Sequence, residues 1–270
     1  MSKFSKTGLA SLILGYSFLY LPLSLLIVFS FNESVFPGVW SGFSLKWYTS
    51  LIDNDDLLSA VLTSFEIAAV SATGAVFLGT LGAVSMVRLG AFKGRTLFSG
   101  LISAPLVMPE VMTGLSLLLM FVSFERLIGW PSERGMMTVT LAHTTLGMAY
   151  VYLVVRSRLQ DFDRILEEAA LDLGAKPLTV FTHITLPIIA PSLLAGWLLA
   201  FALSLDDVVV ASFLSGPGAT TLPMLIFSSV RMGISPEINA LATIIVALVS
   251  LGVLVAGILI SRNSKKAGIA

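Results

Sequence analysis

Six apolar runs, each about as long as a bilayer is thick, constrain this chain more than any other feature. They lie at Gly8–Phe31, Leu58–Val87, Leu97–Phe124, Met136–Val155, Ile188–Phe213 and Ile238–Ile260. Roughly 20 apolar residues in a helix cover about 30 Å of hydrocarbon, and a helix satisfies its own backbone there. The expected class is therefore all-α: a polytopic membrane protein with six transmembrane helices in a lipid bilayer. Composition agrees, since 56% of the 270 residues are hydrophobic and only 12% charged, against about a quarter charged in a soluble domain. Mean hydropathy is +0.94. The second, third and fifth runs carry glycine, proline or acid, so soft ends are expected there. Lys3 and Lys6 precede the first run, but that run is too long for the apolar core of a secretory signal. No small-residue cleavage site ends it, so it reads as an uncleaved anchor. There is no cysteine and the net charge is zero, which excludes disulfides and thiolate metal sites and offers no field for nucleic acid. With no 20–50-residue repeat and no soluble insert, residues 1–270 read as a single transmembrane domain.

Lys and Arg set the orientation. With both termini inside, the cytoplasmic side holds Lys3, Lys6, Arg88, Lys93, Arg95, Arg156, Arg158, Arg164, Lys176, Arg262, Lys265 and Lys266. The outer side holds Lys46, Arg126, Arg134 and Arg231, a ratio of 12 to 4. Small residues recur every fourth position at Ala75, Gly79 and Ala83 and at Gly196, Ala200 and Ser204. Such stripes let helix backbones approach closely in lipid, and intramolecular packing is the expected use. Trp40, Trp47 and Tyr48 in the outer connection 32–57 suit the membrane interface.

The inner connection 156–187 has helical logic. Leu159, Phe162, Leu166, Ala169, Ala170 and Leu173 fall three and four apart, with Asp163, Arg164, Glu167 and Glu168 off that stripe. Asp161 or Asp163 caps the start, Gly174 suits the C′ position, Pro177 opens a second short helix, and Pro187 is expected to stop it before span five. An amphipathic cytoplasmic loop of this kind wants a partner. A helix lying on lipid is the alternative, but the acidic balance of Asp161, Asp163, Glu167, Glu168 and Asp172 disfavours an anionic surface.

Glu168-Ala169-Ala170, three residues, Gly174, nine residues, Ile184, one residue and Leu186-Pro187 resembles the EAA loop of ABC-importer permeases at every defined position. In that family the loop is a coupling helix docked in a groove of a cytoplasmic ATPase. Further stretches are similar to the polyamine branch: Ser30-Phe31-Asn32, Trp40, Trp47-Tyr48, Pro105 to Glu110, Ser204 to Asp207, Gly216-Pro217-Gly218, Thr221-Leu222-Pro223, Arg231-Met232-Gly233 and Pro236 to Ala240. The resemblance implies a type I permease fold and a multi-pass protein of the bacterial inner membrane. Its implied partners are a homologous second permease, two copies of an ATPase and a periplasmic polyamine-binding protein. The implied cargo is a polyamine, putrescine first and spermidine or another cationic or zwitterionic solute as the alternative. The chain has no phosphate loop. It is thus expected to be no enzyme and to carry no cofactor, with ATP and Mg held by the ATPase.

Acids inside spans cost roughly 2.5–3.5 kcal/mol each, so they are functional candidates. Glu110, Asp206 and Asp207 fall at outer-half depth and suit a dication in transit. Asp206 or Asp207 is expected to contact the cationic amines in transit, with Glu110, beside Pro105 and Pro109, as the weaker candidate. Being adjacent, the two aspartates point about 100° apart on a helix, so at most one faces a lumen while the other caps the segment from Val208. Glu66 reads as packed or interfacial, and His143 as a hydrogen-bonding contact between helices. No metal site is expected. A proton-coupled secondary transporter would also use buried acids, but an ATPase-docking loop argues against it. An intramembrane hydrolase would need a paired nucleophile and base. The orientation is checked by reporter fusions that are active only outside the cell: a fusion at Lys176 should be silent, and strong external activity there would reverse the topology.

Overall fold

The computed structural model describes residues 6–36, 38–232 and 236–266, with side chains described for 7–36, 38–231, 236–251 and 254. Lys3 and Gly233 lie outside the described residues, as do the side chains of Lys6, Met232, Arg262, Lys265 and Lys266. In chain order the helices are α1 (Lys6–Ser30), α2 (Lys46–Ser50), α3 (Asp55–Arg88), α4 (Arg95–Val107), α5 (Glu110–Ile128), α6 (Met136–Asp161), α7 (Ile165–Asp172), α8 (Pro177–Val180), α9 (Leu186–Asp206), α10 (Val209–Leu214), α11 (Leu222–Met232) and α12 (Pro236–Lys266). A π-helical turn, Phe181–Thr185, joins α8 to α9. Five described helices are long and apolar enough to cross a membrane: Thr7–Ser30, Asp55–Arg88, Glu110–Ile128, Met136–Asp161 and Pro177–Asp206. The sixth expected span falls on α12, whose described stretch Pro236–Leu251 is apolar. The chain divides into two compact units, 1–58 with 228–270, and 59–227.

In the first unit α1 and α2 pack against α12. The connection after α1 is tied down by Asn32. Its side chain donates to the Val39 carbonyl at 2.6 Å and accepts from the Ser41 N–H at 3.0 Å, and its carbonyl accepts the Trp47 indole N–H at 2.7 Å. Ser30 and Tyr48 share a hydrogen bond of 2.7 Å, and Phe31 lies against both Phe43 and Tyr48. Trp47 and Tyr48 therefore spend their polar atoms on the chain itself, while Trp40 is half-exposed against Phe29. Asn54 caps α3 by accepting the Leu57 N–H and donates to Glu237 at 3.1 Å.

The second unit is built around α6. One core joins α3, α4, α6 and α9 through Ala72, Ala75, Ala83, Ile102, Val151, Tyr152, Val155, Ile189 and Ala200. Another joins α3, α5, α6 and α10 through Ile67, Phe121, Val139, Ala142, Val210 and Leu214. Both small-residue stripes meet α6. A methyl group on Gly147 would sit 3.1 Å from the Cβ atoms of both Ala75 and Ala200. On Gly79 it would sit 2.9 Å from the Met148 carbonyl oxygen and the Val151 side chain. Without a hydrophobic force between helices in lipid, this close approach supplies the van der Waals contact that holds them together.

Two expected spans are broken. Leu97–Phe124 divides into α4 and α5 at Met108-Pro109, both extended, with ψ of 135° and 136°. The ring of Pro109 bars Met108 from the helical region, and Pro109 has no N–H to continue the ladder. Ile188–Phe213 divides at Asp207, where ψ is 123°. Two expectations for the inner loop change as well. Pro187 does not stop a helix: backbone runs helically from Pro177 to Asp206. The π turn, with the Leu186 N–H bonded to Phe181 O, widens the ladder ahead of the proline ring and removes its clash with the preceding turn. The stripe from Leu159 to Leu173 is also not one helix. Leu159 is fully buried in the last turn of α6, Phe162 is extended, and α7 starts afresh at Ile165.

A Gly79→Ala substitution should lower thermal stability in detergent by about 1–3 kcal/mol, the usual penalty for overpacking. Gly100→Ala, whose new methyl would meet nothing within 4 Å, should be neutral or stabilising. Equal melting curves for the two would contradict this packing.

Candidate functional site

Where α4 and α5 part, they leave a cavity of about 270 Å³ against α6 and α9. Its polar lining is Glu110, Thr113, His143, Tyr150, Ser204 and Asp207, with Gly147 and Ala200 at its wall. Each element has a reason to present these groups. The break at Pro109 makes Glu110 the first residue of α5, where an acid is favoured by the helix dipole. His143, Gly147 and Tyr150 stand four and three residues apart, which is one face of α6. Ser204 and Asp207, three apart, share a face at the end of α9.

The polar groups form a chain. The Ser71 hydroxyl donates to Ser204 Oγ at 3.3 Å, Ser204 Oγ lies 2.6 Å from His143 Nδ1, and His143 Nε2 lies 2.9 Å from Asp207 Oδ2. Asp207 also accepts the Val210 N–H at 3.2 Å and the Ala211 N–H at 2.8 Å. A neutral imidazole with its proton on Nε2 satisfies every member: Ser204 donates to Nδ1 and Nε2–H donates to the carboxylate. His143 is thus the helix contact expected of it, and Asp207 does the capping that one of the two aspartates was expected to do. The constellation contains a serine, a histidine and an aspartate, and each is engaged in joining helices. Ser204 is buried in the last turn of α9, with its hydroxyl held between Ser71 and His143.

The structure sorts the three candidate acids. Asp207 lines the cavity with its carboxylate already engaged. Asp206 is exposed and lies outside the lining. Glu110 lines the cavity, is exposed to it, and carries no hydrogen bond or ion pair among the described residues. Glu66 is exposed on α3. Tyr150 and Thr113 were not singled out from sequence; the helical spacing of Tyr150 from His143 was the signal available.

The loop residues form a separate surface. Asp163 accepts the Ile165 N–H and starts α7. Glu168 and Ala169 are exposed and Ala170 is half-buried. Gly174 has φ +85°. The Gly174 N–H bonds to Leu171 O and the Ala175 N–H to Ala170 O, which closes the helix in a left-handed turn that favours glycine. Ile184 and Leu186 are half-buried where the chain enters α9, and Pro187 is exposed. Ile165, Leu166, Leu173 and Leu178 stand out from this surface, Leu173 at 90% exposure. Glu167, adjacent to the motif's acid, is the residue that motif reading passed over: it pairs with Arg88 at 2.9 Å.

Known proteins fit this geometry. The chain is 56% identical over 255 residues, 94% of its length and 91% of the other's, to the putrescine transport system permease protein PotI of Escherichia coli strain K12. It is 43% identical to the spermidine/putrescine transport system permease protein PotC of that strain, over 93% of this chain and 92% of the other. A chain of a bacterial ABC transporter that imports the acidic polysaccharide alginate has the same fold, with a TM-score of 0.70, 15% identity, and 97% and 99% of the two chains covered. An amino acid ABC transporter chain aligns with a TM-score of 0.54, 20% identity, and 80% and 98% covered. The profile described as binding-protein-dependent transport system inner membrane component matches residues 75–267, and the chain belongs to that family of transport permeases.

Proposed function

We propose that this chain is one permease half of an ATP-driven polyamine importer of the bacterial inner membrane, with putrescine as its cargo. The observation that carries this reading is the 56% identity to a putrescine permease across 94% of the chain. The reading includes both termini in the cytoplasm, a homologous second permease, two ATPase copies and a periplasmic binding protein. ATP hydrolysis is assigned to the ATPase, where ATP and Mg are held.

Two features support the division of labour. The exposed apolar surface of α7 and α8 faces the cytoplasm in this orientation and is the surface offered to the ATPase. A large apolar side chain such as Leu173, left in water, gains about 1.5–3 kcal/mol when covered. The cavity under Pro109 is the cargo path. Glu110 is its free carboxylate, and the Tyr150 ring supplies an aromatic face for an ammonium group. Asp207 holds the wall in place and Asp206 stands outside it, so Glu110 leads the three acids as the cargo contact.

Reconstituting the chain with its partner subunits and binding protein in liposomes separates these roles. Gly174→Asp, strained at positive φ, should leave the permease inserted but remove ATPase copurification, ATP hydrolysis and uptake together. Glu110→Gln should retain copurification and stimulated hydrolysis, while the KM for putrescine uptake rises about tenfold, the worth of one charge-assisted hydrogen bond. Normal uptake in the first variant removes the loop from the mechanism. Normal KM in the second removes Glu110 from the path.

A further inference from the structure

Helix α7 is held in an unusual way: none of its residues is buried. Its firm attachment is the carboxylate of Glu167. Oε2 lies 2.9 Å from Arg88 Nε, and Oε1 accepts the Thr185 hydroxyl at 2.6 Å. The Arg88 guanidinium in turn lies over the Phe162 ring, 5.5 Å from its centre. The side chains of Arg88 and Glu167 are only 14% and 13% exposed. Arg88 is the last residue of α3, Phe162 follows α6, and Thr185 ends the π turn that continues into α9. One carboxylate therefore connects α7 directly to α3 and to the π turn that leads into α9.

We propose that Glu167 is the positioning residue that passes displacement of α7 to α3 and to α9, the second of which walls the cavity, an inference that rests on the reading of the loop as an ATPase-docking surface. The route is continuous. Along α3 it runs from Arg88 to Ser71, from Thr185 in the π turn it runs along α9 to Ser204, and those two serines are hydrogen-bonded to each other. Separating the pair would strand a half-buried charge on each side, so α7 and the end of α3 move together. Room exists for the cluster to change arrangement. A cavity of about 370 Å³ bordered by Arg88, Arg164, Glu167 and Thr185 lies beside it. Arg88 Nη2 is buried there without an acceptor, leaving a donor for a second geometry to use.

The test uses the complete transporter in liposomes and reads putrescine taken up per ATP hydrolysed, alongside the amount of assembled complex. Glu167→Gln keeps the shape and removes the charge. Assembly and hydrolysis should persist while uptake per ATP falls about tenfold, within the usual range of site-to-site coupling. Arg88→Glu should uncouple likewise, and the double variant Arg88→Glu with Glu167→Arg should recover uptake per ATP above either single change. Wild-type uptake per ATP in Glu167→Gln overturns the proposal. So does a loss of uptake matched by an equal loss of assembled complex, which would make the pair merely structural. If the wild-type chain recruits no ATPase, the docking reading itself falls, and that result is visible before any variant is compared.

Discussion

The structure depends on the approach of three helices at Gly147. The Cβ atoms of Ala75 and Ala200 both lie where a single methyl group on α6 would crowd them, so α3, α6 and α9 meet almost backbone to backbone. In lipid, side-chain burial gains little between helices, and dispersion at short range together with polar contacts has to supply the association. Both are present here. The small residues bring the backbones together, and the same closeness lets Ser71, Ser204 and His143 reach one another across three helices.

From that frame the cavity follows. Helices α4 and α9 both end at mid-structure, at Pro109 and Asp207, and a broken helix at membrane depth is tolerated only where its loose backbone is satisfied or lines a cavity. The α9 break is satisfied by Asp207, which accepts two N–H groups of α10 and is itself held by His143. The α4 break opens toward the cavity and sets Glu110 at its edge. One acid is thereby a structural part and another is left free, although both cost the chain the same kind of insertion energy.

The spans were legible because hydropathy and length govern insertion, and all six fall on described helices or their broken parts. The break at Pro109 was legible too, since the constraint is local. The break at Asp207 was visible only as a pair of adjacent acids, because its cause lies 64 residues away in His143. Helicity through Pro187 ran against local expectation, since the accommodating π turn leaves no mark in composition. In the loop, motif spacing drew attention to Glu168, which is exposed. Glu167 was passed over because its partner, Arg88, stands 79 residues distant. Local chemistry thus announced the elements, and long-range pairing decided which acid does what.

The central claim is that one carboxylate in the cavity is free to meet an ammonium group while its neighbour is not. Labelling of the assembled transporter with a water-soluble carbodiimide, read by mass spectrometry, tests it directly. The account predicts modification at Glu110 that putrescine suppresses, with Asp207 unmodified because its oxygens are held by His143 and the α10 amides. Modification of Asp207, or labelling of Glu110 that putrescine leaves unchanged, would contradict it.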